Sequence, residues 1–327
     1  MVQETMRVFV TLFNSRYMSR GLVMYESLCK ALSNFKLYIV AFDDVAYRKL
    51  TELNLVNVIV IALGEFEDEA LLQAKGTRNE REYCWTCSSK SILYVLEKYN
   101  ETECTYIDAD LYFYADPTCL IEEMGEDNAV LITEHRYSDY CNQAETSGKY
   151  CVQFVTVRNN DKGMRVLRWW TERCLEWCYA RTEDGKFGDQ MYLDKFTSMF
   201  EGVHELRHLG GGVAPWNVDQ YTFFREDGNV MLRRKGVEEK IPVIFFHFHE
   251  ISFFDKDVVH LAPSFYKIPD TAITCLYKEY IRETERICLK YGLLDNREYW
   301  RCEKQFRDDD MDMLAHEKNY YQHSLFI

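Results

Sequence analysis

Two aspartates one residue apart, Asp108 and Asp110 flanking Ala109, follow the apolar run Thr105-Tyr106-Ile107 in the segment TYIDADLYFYADP. If the chain stays extended there, residues i and i+2 project to one side and the two carboxylates share a face. Such hard oxygen donors suit Mg²⁺ or Mn²⁺, which keeps positions open for water and phosphate when only one or two carboxylates bind it. A nucleotide diphosphate would fill those positions. The same pair also reads as a solvated strand-end turn, so the surrounding pattern decides between a metal site and a bland one.

Other groups carry chemistry of their own. Asp189-Gln190 follows Gly188 in GKFGDQMYLDKF; an aspartate there is a good helix cap, and a neighbouring amide carbonyl can face developing positive charge without ionising. His247 and His249 lie in the late apolar run IPVIFFHFHE. Both point the same way from a strand, so periodicity does not separate them as metal ligands. Gly210, Gly211 and Gly212 precede Trp216 and read either as close backbone approach to a sugar beside a stacking indole, or as a glycine turn against a core tryptophan. His135 ends a strand-like run and reads as facing an acceptor or as hydrogen-bonded in place. Asp308, Asp309, Asp310 and Asp312 sit in a polar tail and read as a solvated helix start.

The elements that must position these residues are legible as alternating patterns. Residues 6–13, 36–42, 57–63 and 104–107 are short β-branched and aromatic runs bounded by polar or turn residues, which predicts strands. Helix-like stretches at 19–32, 44–53 and 86–99 separate them. That alternation predicts an α/β fold with a mostly parallel sheet covered on both faces, and ligands at the carboxyl ends of its strands. Further strands are expected at 129–133, 150–157 and 241–249, and Val166, Trp170, Cys174, Trp177 and Cys178 recur at helical spacing as a core stripe. A helix near 271–290 and a Tyr-rich polar tail predict a division into a domain over 1–265 and a C-terminal helical extension over 266–327.

Composition narrows the function. The chain has 327 residues and 47% hydrophobic content, enough for a large core. A formal charge of -14 lacks the basic stripe on which nucleic-acid binding relies, so nucleic acid is excluded as a partner. A single nucleotide differs, because one divalent cation neutralises its diphosphate locally. No apolar run is long enough for a transmembrane segment, and the opening MVQETMRVFV has no basic region before an apolar core, so a cytoplasmic location is expected. The 12 cysteines are expected to be mostly reduced and buried, and the spacing of Cys84 and Cys87 with Cys174 and Cys178 is not read as structural zinc.

With these residues in view, YIDADLYFYADP resembles the D-x-D strand of GT-A glycosyltransferases, particularly the family-eight retaining enzymes. MRVFVTLFNSRY is similar to that family's first strand and nucleoside-contacting loop, GKFGDQMYLDKF to its Asp-Gln pair, and FFHFHE to the late strand whose histidine completes the metal site. The likeness spans roughly residues 6–250. It implies a GT-A nucleotide-diphospho-sugar transferase fold with Mn²⁺ or Mg²⁺ held by Asp108, Asp110 and His247. It also implies donor contacts from Thr11, Phe13, Asn14, Tyr17, Lys90, Asp108, Ala109, Asp110, Gly211 and Gly212. Asp189 would hydrogen-bond the donor sugar, and Gln190 would sit at the anomeric carbon opposite the leaving diphosphate. The chain departs from the family in having no lysine after His247-Phe248-His249-Glu250 to grip phosphate.

The expected function is transfer of a sugar from a nucleotide diphosphate, UDP above all, to a glycan, lipid-linked or other hydroxyl acceptor, with retention and with a place in bacterial surface glycan synthesis. Two rivals stay open. A sugar-phosphate nucleotidyltransferase would share the sheet, but it opens with a Gly-rich basic loop and FNSRYMSRG is poor in glycine. A non-catalytic sugar-binding protein on an inactive transferase fold would keep the architecture alone.

Overall fold

The computed structural model describes residues 5–254, 258–293 and 319–322. The β-branched runs form β1 (Arg7–Phe13), β2 (Phe35–Ala41), β3 (Val58–Ala62), β4 (Glu103–Ile107), β5 (Leu111–Phe113), β6 (Val130–Glu134), β7 (Tyr150–Arg158) and β8 (Val203–Glu205). Seven of them hydrogen-bond into one sheet of order β3-β2-β1-β4-β7-β6-β8. Pairs β1–β2, β2–β3, β1–β4 and β6–β8 are parallel, and β7 alone runs against its neighbours β4 and β6. The mixed, mostly parallel α/β sheet that the sequence implies is therefore present.

Period-2 alternation sorts the central strands onto two faces. Phe9 and Phe13 of β1, Leu37 and Ile39 of β2 and Ile107 of β4 join a core with Leu22, Met24 and Leu28 from the helix Met18–Ala31. Val8, Val10 and Leu12 turn the other way, onto Ile92 and Leu96 of the helix Glu80–Lys98 and Trp170 and Cys174 of the helix Asp161–Glu176. Every residue of β1 is buried, as expected of a strand covered on both faces.

The structure departs from the sequence reading in four places. The helix expected from 86 starts at Glu80, because Asn79 and Glu82 close a capping box that satisfies its first amides. The stripe helix stops at Glu176, so Trp177 is extended and half-buried outside it. The run 241–249 divides: Ile241–Pro242 pairs with the strand Asn229–Arg234, whereas Phe245–His247 crosses to pair with β5. The helix expected near 271–290 opens with a π-helical turn at Ile273–Tyr277 before running regularly over Lys278–Tyr291, and its Tyr280, Ile281 and Cys288 share the core of Phe246, Phe248 and Leu28. The aspartates from 308 to 312 lie outside the described residues.

Gly210 links packing to the late strand. A Cβ there would lie 1.9 Å from the Pro242 carbonyl oxygen, while the Gly210 carbonyl accepts from the amides of Ile244 and Phe245. The clash is with backbone, which does not rotate away. Gly210→Ala is expected to lower stability by about 1–3 kcal/mol or more, the range of overpacked sites, measured by chemical denaturation. Gly64→Ala, where a Cβ meets nothing within 4 Å, should stay within about 0.5 kcal/mol of the parent.

Candidate active site and metal centre

β4 delivers Asp108 at its carboxyl end, but the chain then turns instead of staying extended: the Leu111 amide donates to the Asp108 carbonyl at 3.3 Å. The turn brings the carboxylates together from two directions, and a third element meets them. The strand Phe245–His247 pairs antiparallel with β5, placing His247 opposite Leu111. His247 Nε2 lies 3.0 Å from Asp110 Oδ1 and 3.7 Å from Asp108 Oδ2. Ala109, in the turn between them, is buried.

Each of these groups is oriented from behind. His247 Nδ1 donates to Gln153 Oε1 at 2.9 Å, and Gln153 is fully buried in β7. The Tyr17 hydroxyl donates to Asp110 Oδ2 at 3.1 Å, and the Tyr106 hydroxyl to Asp108 Oδ1 at 3.0 Å. The Gln153 carbonyl accepts the Asp108 amide, and the Asp110 carbonyl accepts the Phe248 amide.

Burial and charge act against each other here. Burial raises both carboxyls; it prevails at Asp108, which Asp110 raises further, whereas at Asp110 the charge of His247 overcomes it and holds the group below its ordinary value. Burial would push the His247 imidazole down, but Asp110 and, less strongly, Cys151 and Asp108 carry it well above the ordinary histidine value. His249 is lowered, by burial and by the neighbouring charge of His247. The structure thus separates the two histidines: His247 touches the carboxylates, and His249 approaches the exposed Glu250 at 3.9 Å.

Asp189 is buried, and burial pushes its carboxyl up to about 7, against a hydrogen bond from Ser88. The Trp170 indole donates to its backbone carbonyl at 2.9 Å, fixing the segment. Asp189 is near enough to Asp108 that the charge of Asp108 raises it further. Gln190 Nε2 donates to the Ser147 carbonyl at 2.6 Å, which orients the amide. Trp216 stands edge-on to both His247 and His249, with ring centroids 5.3 and 5.4 Å away.

The remaining residues implied by the resemblance lie as follows. Thr11 and Phe13 are buried in β1, and Asn14 accepts from the Tyr17 amide and donates to Glu80. Lys90 ion-pairs with Asp68 at 2.7 Å. Gly211 and Gly212 are buried, and their carbonyls accept from Arg136 and Asn217; a Cβ on Gly212 would lie 2.6 Å from the Thr133 methyl. Both glycines are closely packed against neighbouring residues of the chain. His135 is buried, donates Nδ1–H to the Lys149 carbonyl and is pushed down to about 3 by burial. Sequence reasoning missed Gln153, Cys151, Ser88 and Tyr106. The signal for the first two was a polar residue at alternate positions in YCVQFVTV, a run otherwise suited to a buried strand.

Three different donors can reach one ion. Atoms of Asp108, Cys151 and His247 lie within 4.8 Å of one another, and Asp110 adjoins His247. The carboxylates and a neutral imidazole fit Mn²⁺ or Mg²⁺.

No family model matches the chain. It is 29% identical over 283 residues to the uncharacterized protein YfnD of Bacillus subtilis (strain 168), covering 85% of this chain and 88% of that one. It is 32% identical over 247 residues to the uncharacterized protein YfnF of the same organism, covering 73% and 80% respectively. Among solved structures it is similar to the galactosyltransferase LgtC in complex with donor and acceptor sugar analogs, with TM-score 0.48, 14% identity, and coverage of 87% of this chain and 95% of that one. Mouse xyloside xylosyltransferase 1 gives TM-score 0.47 and 11% identity over 75% and 98%. The glycosyltransferase GlyE of Streptococcus pneumoniae TIGR4 gives TM-score 0.47 and 14% identity over 95% and 72%.

The electrostatics are testable without a ligand. In Asp110→Asn the main attraction that charges His247 is gone and burial remains, so its pKa should fall from above the ordinary histidine value toward or below it. Imidazole chemical shifts followed by NMR across pH report this directly; an unmoved titration would contradict the assignment of Asp110 as the partner.

Proposed function

We propose that this chain, which belongs to the same protein family as YfnF of Bacillus subtilis, is a metal-dependent glycosyltransferase. It moves a sugar from a nucleotide diphosphate, UDP-sugar first, to a hydroxyl acceptor with retention of anomeric configuration. The observation that carries this reading is the convergence of Asp108, Asp110 and His247 at the carboxyl end of a central strand, with buried Asp189 close enough to feel the charge of Asp108.

In this reading Asp108, Asp110 and His247 hold Mn²⁺ or Mg²⁺, which neutralises the departing diphosphate. Gln153 fixes the imidazole ring, and Tyr17 fixes the Asp110 carboxylate. Asp189, with a carboxyl near 7, donates or accepts a hydrogen bond at a sugar hydroxyl. Gln190, anchored through its Nε2, turns its carbonyl oxygen toward the anomeric carbon, where positive charge develops. Trp216 packs edge-on against both histidines and walls that side of the site. None of the helices among the described residues is long and apolar enough to cross a membrane; we assign the enzyme to the cytoplasm and to synthesis of bacterial surface glycans.

A panel of nucleotide sugars in thermal shift, with and without Mn²⁺, tests the reading, because a ligand that binds only the native state raises its midpoint by mass action. One UDP-sugar should stand out in the presence of Mn²⁺, and Asp110→Asn should abolish that response while the protein still folds. His247→Ala should weaken Mn²⁺ binding more than His249→Ala. A panel with no responding nucleotide sugar would refute the function.

Gln190→Ala separates chemistry from binding. An interaction made mainly in the transition state lowers kcat and spares donor affinity, and losing such a contact costs roughly a hundredfold to a thousandfold. Calorimetric donor affinity should therefore be nearly unchanged while turnover collapses; lost affinity with intact turnover at saturation would remove this role.

A further inference from the structure

One donor in the cavity has no part in hard-cation chemistry. Cys151 precedes Gln153 by two positions on β7, so both side chains leave the strand on the side that meets His247. Its thiol contacts the His247 imidazole, and its Sγ, an Asp108 carboxylate oxygen and a His247 nitrogen all lie within 4.8 Å of one another. Away from that contact its neighbours are apolar or aromatic: Ala214, Trp216, Ala262 and Tyr266. Cys151 is buried, and His247 and Asp108 are the metal-ligating groups whose donor atoms lie beside its sulfur.

We propose that Cys151, Asp108 and His247 form a binding site for a thiophilic divalent cation of the Zn²⁺ class, overlapping the position assigned to Mn²⁺ or Mg²⁺. Sulfur, nitrogen and oxygen donors together are the set that zinc and cobalt favour, whereas Mn²⁺ and Mg²⁺ gain little from a thiolate. Binding forms a sulfur–metal bond and releases the thiol proton to solvent, with no change of oxidation state. A cation held this way occupies Asp108 and His247 and keeps them from the hard cation. The inference shares these two residues with the proposed function but does not depend on sugar transfer.

The test uses the full chain freed of metal, with Co²⁺ as a spectroscopic stand-in and Zn²⁺ in competition with a chromogenic chelator. The parent and the exposed-cysteine control Cys119→Ser should show a thiolate-to-cobalt charge-transfer band. Cys151→Ser should lose that band and lose Zn²⁺ affinity by at least roughly tenfold, with Mn²⁺ affinity unchanged. The same band and affinity in folded Cys151→Ser would overturn the proposal, as would Zn²⁺ binding the parent no more tightly than Mn²⁺. Should Cys151→Ser and Cys151→Ala both fail to fold, X-ray absorption at the zinc edge of the loaded parent decides: a sulfur neighbour with nitrogen and oxygen supports the site, and a shell without sulfur refutes it. An intact cobalt band with no Mn²⁺-dependent response to any nucleotide sugar would sink the glycosyltransferase reading and leave this one standing.

Discussion

Two carboxylates held side by side beneath a protein surface repel one another and resist losing water, so such a pair persists only if positive charge is brought to it. Here the His247 imidazole lies 3.0 Å from Asp110 and 3.7 Å from Asp108, which raise its tendency to carry a proton, and a bound cation would supply the same charge. Much of the surrounding architecture follows from the need to deliver it. The late strand has to leave the sheet of Asn229–Arg234 and pair with β5 to place His247 opposite Leu111. β7 has to run against its neighbours with Gln153 facing inward, so that the far side of the ring is also satisfied. An imidazole with partners at both nitrogens is locked in ring angle.

How much of this could be read from the sequence depends on the range of the interaction involved. The strands through Ile107 announce themselves by local pattern, and DAD after an apolar run is a local signal too. The turn at Ala109 is not, because a strand that continues and one that folds back begin with the same residues; it is fixed by the Phe248 amide reaching the Asp110 carbonyl from far along the chain. Family likeness, not period, favoured His247, and the pairing with β5 then sets it against the carboxylates. Gln153 and Cys151 looked like polar interruptions of a buried strand until that strand's partner was known. Lys90 shows the opposite limit, since spacing says nothing about Asp68, which it meets in the structure.

The glycines of HLGGGVAP illustrate how one pattern serves two masters. Read alone, three glycines beside a tryptophan suggest backbone bared for a ligand. In the structure Gly210 makes room for the Pro242 carbonyl and Gly212 for the Thr133 methyl, so the loop is a packed hinge between the sheet and the late strand. Its contribution to the site is indirect, through the Val213 carbonyl that accepts the His247 amide and through Trp216, which walls both histidines.

The largest of the three apolar clusters among the described residues joins Phe9 to Leu293, and the helix Lys278–Tyr291 lies along Met18–Ala31, with Lys30 bonded to Glu283 and Glu26 to Lys290. During synthesis the N-terminal half therefore emerges with one face of its sheet still waiting for residues made much later. Contacts of such long sequence separation close late, because loop entropy is lost before they form. The nascent chain spends that interval with apolar surface exposed, and chaperone demand should track how long the ribosome takes to reach the helix Lys278–Tyr291.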